Sequence, residues 1–487
     1  MNPSDTGLRR SDVTTSRRPL LAQHSPFRAV SHLRVESQTD SLIWFVLLHA
    51  PLGILFYQEP SLSVLWGYVV IGTGVATVLL GNRSSMLPLF VLTYLCGGEM
   101  MWRLLFVAPA LPYEVGKYAL FLIAAIGTIR RYKSVRDWPA IPLLFLLCLL
   151  PSMIMWVGDE DLTFARKAFF GTLLPPIVLA IGTIYIQGRK LDHATATRLA
   201  LIIIAPIVSV VAIATYNTWI QESRGLLYFG RSSNVDAAGG TGPNQVSNTL
   251  AFGALFCWLV IVHSQVSQAK RLVLTGLAVW MVGQALLTFS RGGVVTLGVS
   301  IATSVLVSLS ITKGRTGFPV RNLLWLGLIA LVVALVIWPW AERFTSGRLS
   351  ERYDTAETDT SGRTEIAMAE IEMWKSSPIL GIGIGKVREE TENYLTFGAA
   401  SHTEFTRLLA EHGVFGLMAV ILFFAGLWQN LVRAKDVRAR SWIAGLGVFA
   451  ILYMSQAATR TIAPVIAYML TWAVLFAPSQ DEEVLSD

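Results

Sequence analysis

The chain is a succession of long apolar blocks separated by polar connections. Hydrophobic positions run continuously for roughly 16–25 residues, and a block of that length crosses a hydrocarbon layer about 30 Å thick at 1.5 Å per helical residue. Alternating positions would instead suggest a strand barrel. Fourteen blocks fit: 42–57, 61–81, 85–107, 113–128, 138–157, 163–186, 199–217, 249–266, 272–289, 292–311, 322–340, 413–430, 442–456 and 461–477. Some of the shorter ones can be half-helices, so 12–14 spans are expected. The fold class predicted is all-α, a polytopic membrane helix bundle. Residues 1–40 are polar, hold six arginines and lack the apolar run of a signal peptide, which predicts a disordered cytoplasmic tail. Residues 41–478 form the transmembrane domain, including the long connections 218–248 and 341–412, and 479–487 form a second cytoplasmic tail.

Composition agrees with the pattern. Of 487 residues, 53% are hydrophobic and 15% charged, against about 25% charged in soluble chains. A net charge of +7 would suggest nucleic acid in a soluble protein; here it marks cytoplasmic loops, and no nucleic-acid partner is expected. With the N-terminus inside, one set of connections holds Arg83, then Arg130, Arg131, Lys133 and Arg136, then Arg189 and Lys190. It continues with Lys270 and Arg271, then Lys313, Arg315 and Arg321, then Arg433, Lys435, Arg438 and Arg440. The other set holds the acidic stretch 158–161 and the two long connections. Basic residues of the short loops thus fall on one side, which places both termini in the cytoplasm and the long connections outside. The inner loops are too short for a nucleotide site. Any chemistry occurs outside, on a substrate already activated on a membrane carrier, unless the protein is a transporter.

Several outward polar residues are candidates for that chemistry. Arg291, in Thr288-Phe-Ser-Arg-Gly-Gly293, lies at the membrane boundary. An arginine at membrane depth costs about 2.5–3.5 kcal/mol on insertion scales, so it marks either function or snorkelling to the interface. Gly292 and Gly293 favour function, because they allow close approach of a ligand to a helix start. In connection 341–412, Ser361-Gly-Arg363-Thr precedes a helix over Glu365–Trp374 that ends before Pro378 and lies on the membrane or the bundle. The stretch Gly381–Lys386 lacks the strand and Ser/Thr of a phosphate loop and reads as a tight turn. Ser401 with Glu404 reads as a capping box, which puts His402 at the first helical position, where the dipole keeps the ring neutral and able to accept a proton. Gly413 either ends this helix or bends it into the next span.

Connection 218–248 carries Arg231 and a Gly/Asn turn with Asn244, which either sits over a pocket or covers the bundle. Arg166 and Lys167, near the outer face, either snorkel or add positive potential to a cavity. Of the seven histidines only His402 and His412 lie outside. No His/Asp cluster, HExxH or G-x-S-x-G stretch suggests a metal hydrolase or serine hydrolase. Cys96, Cys148 and Cys257 all sit in apolar runs, so neither a disulfide framework nor a thiolate metal site is expected.

The order Thr288–Gly293, Arg363, Pro378–Gly385, His402, Glu411, Gly413 and Gly416 resembles the O-antigen ligase/polymerase family of bacterial inner-membrane proteins. The likeness covers roughly residues 200–430, with Thr403 where the family often has Asn. It implies a class C-like glycosyltransferase architecture with a large helical periplasmic loop. It implies transfer from an undecaprenyl-diphosphate-linked glycan to a sugar hydroxyl of a glycan or lipid A-core, with inversion and without metal, nucleotide or other cofactor. Arg291 and Arg363 would then hold the diphosphate, as planar guanidinium donors suit that anion, and His402 would take the hydroxyl proton. Arg231, Arg166, Asn244, Glu404 and Arg407 would be further substrate contacts. Glu404 and Glu411 either orient His402 or act as base, or simply pair with Arg407. Chain-length regulator and flippase proteins are candidate partners.

The leading expectation is a polysaccharide polymerase (O-antigen or exopolysaccharide), with a ligase as alternative. A lipid-linked oligosaccharide flippase would show repeated halves and charges near the membrane centre, which this chain does not show. A cell-shape type peptidoglycan glycosyltransferase would need acidic groups such as Asp354, Glu357 or Asp359, which read as a solvated run.

Overall fold

Every one of the fourteen expected spans is occupied by a helix in the computed structural model, which describes residues 26–156, 162–230, 232–264, 266–310, 320–354, 362–395 and 398–476. The first four helices are α1 (Pro26–Gln58), α2 (Pro60–Leu80), α3 (Leu87–Leu104) and α4 (Val115–Arg131). Then come α5 (Ala140–Cys148), α6 (Leu162–Ala168), α7 (Leu174–Ile186), α8 (His193–Ser223), α9 (Pro243–His263), α10 (Gln268–Leu287) and α11 (Arg291–Ser310). The long connection contributes α14 (Arg348–Asp354), α15 (Arg363–Ser376) and α16 (Val387–Glu390), after α12 (Val320–Val332) and α13 (Trp338–Phe344). The chain closes with α17 (Glu404–Arg433), α18 (Val437–Ala457) and α19 (Ala463–Leu470).

Among the described residues ten helical stretches are long and apolar enough to cross a membrane. The expected spans at α3, α4, 140–155 and α19 fall short of that: α19 is brief, and α3 carries Glu99 and Arg103 in its interior. The protein is therefore an all-α polytopic membrane bundle. Helices α8 and α9 form its centre and are almost wholly buried; α3 and α1 flank α8, while α10 and α11 flank α9 and α18 lies on α11. The stretch 324–344 has almost no fully buried residue, as suits a helix facing lipid. One difference concerns the first segment. Helix α1 begins at Pro26, so residues 26–40, expected as tail, are helical; residues 1–25 and 477–487, including the second tail, lie outside the described residues, as do 157–161, Lys313 and Arg315.

The basic connections gather at one end. There Arg130 donates to the carbonyls of Val78 and Leu79 at the last turn of α2, Arg131 to Tyr185 O at 2.9 Å, and Arg189 to Ser85 O at 3.2 Å. Cations on open helix C-terminal carbonyls are favoured by the dipole. A two-residue parallel pair, β1 (Lys190–Leu191) with β2 (Val474–Leu475), ties the chain's end to the same face. The three cysteines are buried and unpaired.

Candidate functional site

At the opposite end the starts of α9, α11, α15 and α17 come together with the α18–α19 turn. Helices α8, α10 and α18 begin with Asp192, Ser267 and Asp436 accepting backbone N–H bonds. Helices α9, α15 and α17 have no such side-chain cap.

Arg291 opens α11 directly after a strained turn. Phe289 has φ 55°, a left-handed conformation that costs a bulky residue about 1–3 kcal/mol and that collects at functional sites. Burial of the ring, against Phe229 at 5.0 Å between centroids, over-determines it. The turn is clamped by Arg352, whose Nε donates to Phe289 O at 3.3 Å, while Arg291 Nη1 donates to Arg352 O at 3.3 Å. Both arginines depress the Tyr353 hydroxyl's pKa, but burial outweighs them and raises it to about 12.

The two glycines after Arg291 serve a different contact from the one expected. A Cβ on Gly293 would lie 2.5 Å from the backbone of Ser247, and one on Gly292 would lie 1.9 Å from Gln456 Oε1. They seat α11 against α9 and α18, so the close approach is between helices. Asn244 joins the same three elements: its Oδ1 accepts from Ser290 Oγ at 3.2 Å and its Nδ2 donates to Gln456 O at 3.2 Å. Asn244 thus links these elements by hydrogen bonds within the protein.

His402 lies beside Gln456. The structure corrects the capping box: α17 starts at Glu404 with Thr403 as its cap residue, and Ser401 Oγ bonds Glu370 instead. His402 therefore sits ahead of the helix. Its low pKa, about 4, comes first from burial, then from the positive charges of Arg460 and Arg363, opposed by a backbone hydrogen bond to Gln456. A backbone contact that raises a histidine pKa is to a carbonyl, which takes a ring N–H. Nδ1 is shielded from water and has no partner among the described residues. The neutral ring is then left with an unused acceptor.

Buried carboxylates fix this geometry. Glu370 of α15, fully buried, accepts from Ser401 Oγ and Thr406 Oγ1, so it locks the helix that starts at Arg363 to the segment bearing His402. Burial raises the pKa of this carboxyl despite those hydroxyls. Arg407 pairs with Glu404 and, at 2.8 Å, with Glu411, and donates to Thr172 O at 3.0 Å in the π-turn Phe169–Leu173 between α6 and α7. Glu404 takes Thr459 N and Oγ1, and Glu411 takes Gly385 N at 3.0 Å. Glu404 and Arg407 thus pair with each other inside this network.

The Gly381–Gly385 stretch is a tight turn against the bend of α17. Gly413 has φ 61° and ψ −134°, with Ile379 O 2.4 Å from where a Cβ would stand, and Gly381 (φ 73°) meets the Glu411 backbone equally closely. Gly413 thus marks a bend, beyond which α17 continues through the membrane. Fully buried His412 bonds Ser152 through Nδ1 at 2.5 Å, away from His402.

Arg166 is exposed on α6, with no described contact to His402. Arg231 lies outside the described residues, as do Glu357 and Asp359. Connection 218–248 covers the bundle: Asn234 N bonds Thr288 O at 2.8 Å and Gln284 Nε2 bonds Ala237 O at 2.7 Å.

Sequence reasoning missed Arg460, Gln456, Arg352 and Arg103. Arg460 could have been found by the rule that singled out Arg291, since it lies in the outer connection between the last two spans. Arg103 Nη2 donates to Arg460 O at 2.7 Å and to Glu99 at 2.7 Å, and its Nη1 reaches Gln245 Oε1 at 3.2 Å. Gln456 and Arg352 carry no sequence signal of their own.

Residues 276–421 match the family described as O-antigen ligase, which supports the O-antigen ligase/polymerase family. The matched stretch holds Arg291, Arg363 and His402 and ends ahead of Arg460. No curated protein matches the chain.

Proposed function

We propose that this multi-pass membrane protein is a glycosyltransferase that uses a polyprenyl-diphosphate-linked glycan on the non-cytoplasmic face of a bacterial inner membrane. The observation that carries the reading is a neutral histidine with an unused ring nitrogen beside Arg363 and Arg460, in a chain whose central segment matches O-antigen ligases. Arg291 and Arg363 bind the diphosphate and stabilise the charge that develops as it leaves. His402 Nδ1 takes the proton of the acceptor hydroxyl. The hydroxyl oxygen forms the new bond to the anomeric carbon, the old bond to the diphosphate breaks with its electron pair on the leaving oxygen, and the configuration inverts. A shielded, unbonded ring nitrogen costs about 1–3 kcal/mol when left unsatisfied, and an acceptor hydroxyl relieves that cost. The residues use no nucleotide and, in this reading, no metal.

The acceptor decides between two forms of the activity. Joining repeat units makes the protein a polymerase, our first reading. The match to O-antigen ligases favours the second, a ligase that moves a finished glycan to lipid A-core or another acceptor. The test is the pool of lipid-linked glycan in cells lacking the protein. Single repeat units should accumulate for a polymerase and long chains for a ligase; a normal pool with normal surface glycan would contradict both.

A further inference from the structure

The turn between α18 and α19 is built as a latch on His402. Ala458 holds φ 48°, unusual for a residue with a side chain, and its N–H bonds His402 O at 3.0 Å. One residue on, Thr459 bonds buried Glu404; three further, Ile462 N bonds buried Glu99 at 2.7 Å. Arg103 grips the carbonyl of Arg460 between these two anchors. The Arg460 side chain then turns back, and its Nη2 donates to Ser401 O at 3.0 Å, next to His402. Its Nε and Nη1 have no partner among the described residues, whereas Arg103, a few ångströms away, has every nitrogen engaged. A snorkelling arginine needs no such mooring, and this one lies at the end away from the basic connections.

We infer that Arg460 is a third anion-binding arginine of this site, with one guanidinium edge latching the His402 segment and the other facing the diphosphate of a polyprenyl-linked donor. This rests on the reading of the site as one for such a donor. Arginine suits the double task because its planar fork presents donors in two directions at once. The distal phosphate-group charge is what a third arginine adds to a pair, so its removal should weaken a diphosphate more than a monophosphate.

The test uses the full chain in nanodiscs, with polyprenyl diphosphate, polyprenyl monophosphate and polyprenol of one chain length as probes. Wild type should prefer the diphosphate. Arg460→Gln should lose roughly tenfold in diphosphate affinity and little for the monophosphate, the loss of one charge-assisted contact. The acid limb of transfer should also move to higher pH in this variant. The charged groups facing His402 are Arg363 from α15 and Arg460 from the turn, while Glu370 and Glu404 are held by other donors. Removing one cation therefore raises the histidine's pKa, which reports that the Arg460 charge faces the ring; the diphosphate-over-monophosphate loss is what a merely structural role would not produce. Unchanged diphosphate affinity overturns the inference, wherever the limb falls. Should the variant fail to fold, arginine-directed labelling of wild type decides: the diphosphate must protect Arg460, and equal labelling with and without it refutes the proposal. A wild type that does not distinguish the diphosphate from polyprenol removes the functional reading itself, which the Arg460 variants alone cannot do.

Discussion

Substituting the two glycines after Arg291 separates helix packing from side-chain chemistry. Gly293→Ala puts a methyl 2.3 Å from Ser247 Oγ and 2.5 Å from Ser247 backbone atoms. Ordinary contacts begin near 3.5 Å, so α11 and α9 must part by about 1 Å. Overpacking of that kind costs about 1–3 kcal/mol of stability, which a bundle this extensively buried survives. The displaced element carries Arg291, and a 1 Å misplacement of a catalytic group costs on the order of a hundredfold in rate. Gly292→Ala is the internal control. Its methyl meets the tip of Gln456 at 1.9 Å, but that amide is held by one hydrogen bond of 3.2 Å to Thr296 and can swing aside. Loss of a neutral hydrogen bond is worth about 1 kcal/mol, so this variant should keep at least about a fifth of wild-type activity. The assay is glycan transfer by purified variants, with thermal unfolding in the same detergent as the check on folding. A Gly293→Ala protein that transfers at the wild-type rate would refute the packing argument, and so would equal losses in the two variants.

Other variants test the supports of the site. Glu370→Ala frees the Ser401 and Thr406 hydroxyls and unlocks α15 from the His402 segment, so transfer should drop at least about tenfold while the apolar bundle persists; limited proteolysis should show 362–376 exposed. Arg407→Met leaves Glu404 and Glu411 buried without their shared cation, which should destabilise by about 3–5 kcal/mol and show as a lower melting temperature and poorer yield; an unchanged melting temperature contradicts the network. The His402 ring, with a pKa of about 4, is neutral at neutral pH. Transfer should be flat from neutrality down to about pH 5 and fall as the ring takes a proton near pH 4. Its lowered pKa also adds stability that is present above the ordinary histidine value and is lost as pH falls from there toward 4. An acid limb near pH 6.5 would mean an unshifted histidine.

Much of the fold was legible because lipid imposes a simple rule on sequence: a block long enough to span the hydrocarbon must satisfy its backbone within a helix. The fourteen blocks became helices for that reason, and the basic connections gathered at one end. Charge placement also singled out Arg291, Arg363 and His402. What sequence could not supply was the partner of each polar side chain. Ser401 and Glu404 have capping-box spacing, yet Ser401 meets Glu370, thirty-one residues earlier. Gly292 and Gly293 looked like room for a ligand, but their neighbours are Ser247 and Gln456 from distant helices. Arg460 was passed over because it lies in a very short outer connection, one residue before the last apolar block.

The central claim is that His402 acts as the proton acceptor in transfer from a lipid diphosphate. The most direct measurement is product formation by purified His402→Ala protein, reconstituted with the undecaprenyl-diphosphate-linked glycan and an acceptor sugar. The account predicts intact folding, retained binding of the diphosphate donor and a transfer rate lower by about 10²–10⁴-fold, the usual range for a lost general base. Wild-type amounts of product from the alanine variant would contradict it.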